Sequence, residues 1–169
     1  MIYFTSDTHF GHYNIIKHCN RPFLNAHIMD QIMFDAINEL VGHDDTLYIL
    51  GDFCFRGKKP IDYRLRINCR DVHLIFGNHD KRTDYYPDDK TVDMNGFTSI
   101  QDIKEIVYCN QRIFLSHYPH RSWPDKTSNR LTLDVGVDNT VNYNKPFGQP
   151  WSFKEIQQLF NKKNRKYET

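Results

Sequence analysis

Long hydrophobic runs and a strong net charge are both missing from this sequence, and each absence excludes a class of protein. No run of about 18 apolar residues occurs, so we expect no membrane-spanning helix and no membrane partner. The formal net charge is only +1 over 169 residues, which gives no overall field that would favour nucleic acid. A nucleic-acid partner is therefore neither indicated nor excluded, and the sequence gives no indication of oligomeric state.

Cysteine is also scarce and widely spaced. No C-x-x-C pair occurs, and a thiolate zinc site needs closer spacing than the sequence offers. We expect reduced, partly buried thiols, as in proteins of reducing compartments. The chain begins with apolar residues 2–4, without the basic and then apolar segments of a secretory signal, so a cytoplasmic location is favoured. The cysteines are Cys19, Cys54, Cys69 and Cys109.

Strand and helix patterns alternate through the first half of the chain. Apolar runs at residues 2–4, 47–50 and 72–76 are typical of buried strands. Between the first two runs, apolar residues at helical spacing predict a helix from Asn25 to near Gly42. Pro60 begins a weaker helix before the third run. This order predicts a mainly parallel sheet with crossover helices, within a single domain of residues 1–169.

The second half of the chain has a different pattern. Short apolar segments at residues 97–100, 106–108, 112–115 and 131–137 predict a second sheet with antiparallel pairs. Residues 81–95 are polar and predict an exposed loop. Ser152 and Glu155 have the spacing of a capping box, which predicts a final helix from Phe153 to about Lys162.

Four short blocks of metal-binding residue types each follow an apolar run. They are Asp7-Thr8-His9, Gly51-Asp52, Gly77-Asn78-His79-Asp80 and Ser116-His117. Any one of these blocks could be an ordinary turn. Ligands that follow neighbouring strands share one edge of a sheet, however, so together the blocks predict one cluster.

The order of these blocks resembles that of the calcineurin-like metallophosphoesterase superfamily, whose pattern is D-x-H, G-D, G-N-H-D/E, a histidine and G-H-x-H. Residues 7–16 (DTHFGHYNII) and 133–138 (LDVGVD) are similar to a small bacterial and phage branch of it. The resemblance implies an α/β fold, a four-layer α-β-β-α sandwich of two mixed sheets flanked by helices. It also implies metal-dependent hydrolysis of a small phosphate ester by a metal-activated hydroxide, with a phosphodiester favoured over a monoester.

The resemblance implies two divalent metal ions bridged by Asp52, which is thereby both ligand and catalytic residue. Asp7 and His9 would bind the first ion, and Asn78 and His117 the second. Oxygen and imidazole ligands without thiolate suit Mn²⁺, Fe, Zn²⁺ or Co²⁺, of which we expect Mn²⁺ first.

The resemblance carries His79 over as an imidazole that assists the leaving oxygen instead of binding metal. Phe55 stands where the phosphoprotein phosphatase branch has an aspartate that supports this histidine, so that pair is absent here. Arg56 is a candidate for binding a phosphate oxygen, or is a surface arginine. His12 and His120 are candidates for substrate contact, or are solvent-exposed histidines.

The final G-H-x-H element, which gives one ligand to each metal in the family, is missing because no histidine follows His120. Three explanations stand open. The first is a deletion that leaves three protein ligands per metal. The second is a weakly bound or missing second ion, with His120 or water filling the vacant ligand positions. The third is that the sequence lacks a segment of the full protein. The alternative function is a catalytically impaired relative that binds metal, nucleotide or a protein partner without turnover. A nuclease is a third, weaker interpretation.

Overall fold

A computed structural model describes residues 1–55, 59–80, 96–119 and 131–165 of the protein. In this described part, five strands form the larger of two sheets. The first four strands are parallel and the last is antiparallel to its neighbour, so this sheet is mixed. In spatial order the strands are β4 (Ser99–Gln101), β3 (Asp71–Ile75), β2 (Thr46–Leu50), β1 (Ile2–Thr5) and β7 (Trp151–Ser152).

The second sheet is an antiparallel pair among the described residues. Strands β5 (Ile103–Tyr108) and β6 (Gln111–Ser116) are paired along their whole length. Cys109 and Asn110 connect them, and both have φ near the left-handed value, at 50° and 59°. A two-residue connection of this kind matches the twist of a tight hairpin.

The predicted helices form where their sequence signals place them. Helix α2 (Ala26–Leu40) begins after Asn25, whose side chain accepts a hydrogen bond from the Ile28 N–H at 2.9 Å. The predicted capping box is present, because the Ser152 N–H donates to the Glu155 carboxylate at 2.8 Å. The remaining helices are α1 (Ile15–His18), α3 (Pro60–Arg64), a 3₁₀ helix (Val137–Tyr143) and α4 (Phe153–Arg165).

Alternate residues of the larger sheet face two different cores. On β1, Tyr3 packs in the core with α2, whereas Ile2 and Phe4 pack in the core with β6 and α4. This two-residue period is what an extended strand imposes. The prediction of an α/β fold with two sheets and flanking helices is therefore confirmed. Among the described residues, no helix combines the length and apolar character needed to cross a membrane.

Two details of the second half differ from the sequence prediction. Residues 97–100 do not join the second sheet, because β4 adds in parallel to β3 and places the apolar Phe97 and Ile100 in the core shared with α2. Residues 131–137 form no strand and make only one bridge, between Ser6 and Gly136. The Asp134 carboxylate accepts the Gly136 N–H at 2.8 Å, a local bond that turns the chain instead of extending it.

Candidate metal centre

The larger sheet brings three of the predicted blocks together at the carboxyl ends of its central strands. Asp7 and His9 follow β1, Asp52 follows β2, and Asn78 and His79 follow β3, and these strands are parallel neighbours. The fourth block follows β6 of the second sheet. His117 reaches the same edge because its Nδ1 lies 2.9 Å from the carbonyl oxygen of Leu50, the last residue of β2. The predicted ligands therefore come from both sheets.

The side-chain atoms of the cluster lie within reach of common cations. The Asp52 Oδ2 atom lies 3.4 Å from His9 Nε2 and 3.7 Å from His117 Nε2. His117 Nε2 is in turn 3.1 Å from Asn78 Oδ1. Two sets of three have all their ligand atoms within 4.8 Å of one another: His9, Asp52 and His79, and Asp7, Asp52 and His117. Asp52 belongs to both sets.

These two sets assign the ligand residues to the two ions differently from the assignment that the family resemblance implies. His79, carried over as a non-ligand, lies in the set with His9, and Asp7 lies in the set with His117. The peptide N–H of His79 donates to Asp52 Oδ1 at 2.8 Å, which holds the two residues side by side. The carboxylate of Asp52 stands at the centre under either division.

Two glycines allow the ligand loops to approach so closely. A Cβ atom on Gly51 would lie 2.4 Å from His117 Nδ1, and Gly51 also has φ of +89°. A Cβ atom on Gly77 would lie 2.2 Å from Asp52 Oδ1. Neither position has room for a side chain, so both glycines are needed for the geometry of the cluster.

The electrostatics of the cluster favour a bound cation. Burial raises the pKa of Asp7, and the neighbouring Asp52 carboxylate raises it further, against the Ser6 hydroxyl and the imidazoles of His117 and His9. Two carboxylates held this close in a buried place repel each other unless a positive charge lies between them. Carboxylate, amide and imidazole donors without thiolate fit a divalent metal ion. The residues present therefore suit the metal that the resemblance implies.

Asp80 supports the centre, a role that the sequence analysis did not assign to it. Its buried carboxylate accepts hydrogen bonds from the peptide N–H groups of Gly77, Asp52 and Phe53 at 2.9, 2.7 and 3.1 Å. These bonds join the loops after β2 and β3, and they hold Asp52 at a left-handed φ of 53°. Asp80 lies directly after Asn78-His79, and its place in this motif was the one sequence feature that could have predicted a role at the centre.

One of the three predicted substrate-binding residues lies beside the cluster. The His12 ring stacks on Phe55 at 3.9 Å between centroids and lies 5.5 Å from the His9 ring. Burial, followed by the nearby His9 and His79, lowers the pKa of His12 to about 4. Phe55 also meets the His79 ring edge to face, at 5.4 Å between centroids. The other two candidates, Arg56 and His120, lie outside the described residues.

Comparison with known proteins identifies the family and agrees with the fold. The family model described as calcineurin-like phosphoesterase matches residues 1–167, and the chain belongs to that family. Members of this family are generally metal-dependent enzymes that hydrolyse phosphate esters. An uncharacterized protein of Methanocaldococcus jannaschii is 37% identical over 151 residues, covering 84% of each chain.

A solved structure shares the fold. It is the crystal structure of a protein of unknown function from Aquifex aeolicus, with a TM-score of 0.69 and 24% sequence identity. The match covers 94% of this chain and 98% of that one. The two-sheet arrangement described above is therefore found in an experimental structure over almost its whole length.

Proposed function

We propose that this protein is a dinuclear metal-dependent phosphoesterase that hydrolyses a small phosphodiester. The observation that carries this proposal is the position of Asp52, whose carboxylate belongs to both sets of ligand atoms. A carboxylate shared in this way can bridge two ions. The chain's membership of the phosphoesterase family supports the reaction class.

Five residues would hold the two ions. Both His9 and His117 have Nδ1 next to a main-chain carbonyl, at 3.1 and 2.9 Å, so Nδ1 carries the proton and Nε2 is available to metal. Divalent ions, when bound, lower the pKa of water and offset the charge that develops on the phosphoryl oxygens. We propose Mn²⁺ first, then Fe, Zn²⁺ or Co²⁺. The ligands are Asp7, His9, Asp52, Asn78 and His117.

The leaving oxygen would receive its proton or hydrogen bond from His79. This side chain is exposed, unlike those of its neighbours His9 and Asp52, so it can meet a substrate. An imidazole can donate a proton or a hydrogen bond, which suits that work. His12, Arg56 and His120 are the proposed contacts to the rest of the substrate.

We propose a phosphodiester, ahead of a monoester, as the substrate that the family resemblance implies. Two divalent ions would outweigh the two carboxylates of Asp7 and Asp52, so the comparison of an aryl diester with an aryl monoester decides between them. The partner of the site would thus be a small phosphorylated molecule.

Incubation with Mn²⁺ and bis(4-nitrophenyl) phosphate tests the proposal. We expect turnover that Asp52→Asn and His79→Ala abolish. His43→Ala, at an exposed position in the turn before β2, is the matched control and should leave the rate unchanged. Replacement of Mn²⁺ by Zn²⁺, Co²⁺ or Fe²⁺ in the same assay tests the proposed metal.

A binding protein without turnover is the second candidate. The absence of any histidine after His120 favours it, because the family's last two metal ligands come from that region. Mn²⁺ uptake with no hydrolysis of aryl phosphodiesters or monoesters would support this second function against the first.

We also propose a cytoplasmic location. All four cysteines are free, and two of them, Cys19 and Cys109, are exposed. Exposed free thiols persist in reducing compartments and become oxidised elsewhere. The location of a tagged protein in cell fractions, with its thiols counted by alkylation, tests this.

A further inference from the structure

A buried arginine outside the ligand set contacts the backbone that carries two of the proposed ligands. Arg21 follows α1, and its side chain has no exposed surface. Its guanidinium pairs with Asp138 at two points: Nε donates to Oδ1 at 2.8 Å, and Nη2 donates to Oδ2 at 2.7 Å. This planar fork fixes the guanidinium in a way that a lysine ammonium cannot.

The guanidinium also binds the main chain between Asp7 and His9. Nη2 donates to the Asp7 carbonyl at 2.7 Å, and Nη1 donates to the Thr8 carbonyl at 3.0 Å. These carbonyls belong to the two peptide groups that join Asp7 to His9. Both residues have left-handed φ values, 56° and 51°, which are strained for residues with a side chain and persist only where the surroundings impose them.

The same Asp7 carbonyl orients the imidazole of His9. It lies 3.1 Å from His9 Nδ1, and because a carbonyl can only accept, Nδ1 carries the proton. His9 Nε2 then keeps its lone pair and lies 3.4 Å from Asp52 Oδ2. Arg21 and His9 thus share one acceptor, so the position of the guanidinium bears on the direction of the imidazole.

Asp138 holds Arg21 from a distant part of the chain. It lies in the first turn of the 3₁₀ helix, and the preceding Val137 N–H donates to the Ser6 carbonyl at 3.1 Å. The Phe147 ring covers the guanidinium, with the Arg21 Cζ atom 5.4 Å from the ring centroid. Because the Asp138 carboxylate balances the charge of Arg21, the pair adds little net repulsion toward a nearby cation.

We propose that Arg21, held by Asp138, is a positioning residue of the metal centre. It fixes the backbone of Asp7-Thr8-His9 and thereby keeps His9 in the tautomer that presents Nε2. This inference rests on the proposed function, since it concerns how the proposed ligands are presented.

Arg21→Lys tests the proposal because it keeps the charge and removes the fork. Arg64→Lys is the matched control. Arg64 is also a buried arginine that binds main-chain carbonyls, those of Ile67, Cys69 and Arg70, but it lies on α3 outside the ligand set. We expect both variants to unfold at lower temperature. Only Arg21→Lys should weaken Mn²⁺ binding in isothermal titration, by about ten- to a hundredfold.

Long-range ¹H–¹⁵N NMR spectra of the metal-free protein give a readout that needs neither metal nor turnover. The wild type should show His9 protonated at Nδ1, and Arg21→Lys should show a mixture of tautomers. An unchanged Mn²⁺ affinity or an unchanged tautomer in Arg21→Lys overturns the proposal. Should that variant not fold, Asp138→Asn, which keeps one acceptor oxygen, replaces it with the same two readouts.

The two proposals fail separately. Mn²⁺ binding without turnover in the wild type contradicts the proposed function and leaves Arg21 to be judged by affinity. If the wild type bound none of Mn²⁺, Fe²⁺, Zn²⁺ and Co²⁺, the proposed function would fail and the tautomer spectra would decide the role of Arg21.

Discussion

At the scale of single residues, the centre depends on main-chain contacts as much as on ligand atoms. Asp80 accepts three peptide N–H groups, and Arg21 donates to two carbonyls. Gly51 and Gly77 have no side chain, which allows the loops that carry the proposed ligands to approach one another closely. The clustering of the proposed ligands was predictable from residue type, because carboxylates and imidazoles after strands are visible in a sequence. The contacts of Asp80 and Arg21 were not predictable, because their partners are main-chain peptide groups, which every residue has.

Replacing Gly77 should damage the centre more than the fold. A Cβ atom there would lie 2.2 Å from Asp52 Oδ1 and 2.6 Å from the Asp52 nitrogen, and a backbone atom cannot easily move away. We expect Gly77→Ala to lower stability by about 1–3 kcal/mol and to weaken Mn²⁺ binding clearly. Thermal unfolding and isothermal titration measure the two effects.

Gly42→Ala is the control for that substitution. Its Cβ would meet the Asp45 side chain, at 3.1 Å, at the amino end of β2 and so at the opposite end of that strand from Asp52. Mn²⁺ affinity equal in the two variants would show that the close approach of Gly77 to Asp52 is unimportant for the centre.

His79→Gln separates two roles for one side chain. If His79 assists the leaving group, kcat should fall by about 10²–10⁴ while the number of bound Mn²⁺ ions stays the same. Loss of one ion, measured by metal analysis of the dialysed protein, would contradict that role and make His79 a ligand with His9 and Asp52. His43→Gln should change neither quantity.

At the scale of elements, each strand or helix was predictable where its own residues contain the signal. The apolar runs ending at residues 50 and 76 and the cap at Asn25 are local features, and the structure has these elements. The partner of β4 is not a local feature. Its short apolar pattern fits either sheet, and β4 joins the larger one, where Phe97 packs against Phe53 and Ile100 is buried in the same core. Asp134 likewise turns a segment whose apolar residues predicted a strand.

The start of α4 should show a pH-dependent stability. Burial alone would raise the pKa of Glu155, but hydrogen bonds from the Lys145 ammonium and from Ser152 outweigh it and lower that pKa. A carboxyl with a lowered pKa in the folded state stabilises above its unfolded value, near 4.5, and this contribution is lost as pH falls through the folded value. Denaturant unfolding from pH 7 to pH 3 should therefore show a smaller loss for Glu155→Gln than for the wild type.

Two further variants complete that measurement. Ser152→Ala should cost about 1 kcal/mol at pH 7, because it removes the capping hydroxyl. Glu39→Gln, at an exposed position of α2, should keep the wild-type pH dependence. Identical curves for Glu155→Gln and the wild type would show that the ionised carboxylate of Glu155 contributes nothing to the pH dependence of stability.

At the scale of the whole molecule, the centre joins two sheets whose described strands do not pair with each other. His117 comes from the hairpin, and the other proposed ligands come from the larger sheet. The family motif made the meeting of these segments predictable. Residues 120–130, where the resemblance places the last histidine pair, lie outside the described part.

Metal binding should therefore protect the amides of the β5–β6 hairpin from hydrogen exchange. Mn²⁺ at a hundred times its Kd would stabilise the folded state by about 2.7 kcal/mol. We expect slower hydrogen exchange at the β6 amides with Mn²⁺ than with chelator, and no such gain in His117→Ala. Unchanged β6 exchange in protein that has bound Mn²⁺ would contradict a ligand role for His117.

The outer strands of the larger sheet are short, three residues in β4 and two in β7, and α4 begins directly after β7. A neighbouring molecule would find few unpaired peptide groups at either border on which to add a strand of its own. The sheet that gathers the ligands is thus poorly suited to growing into fibrils, and we expect the folded protein to resist aggregation through those borders.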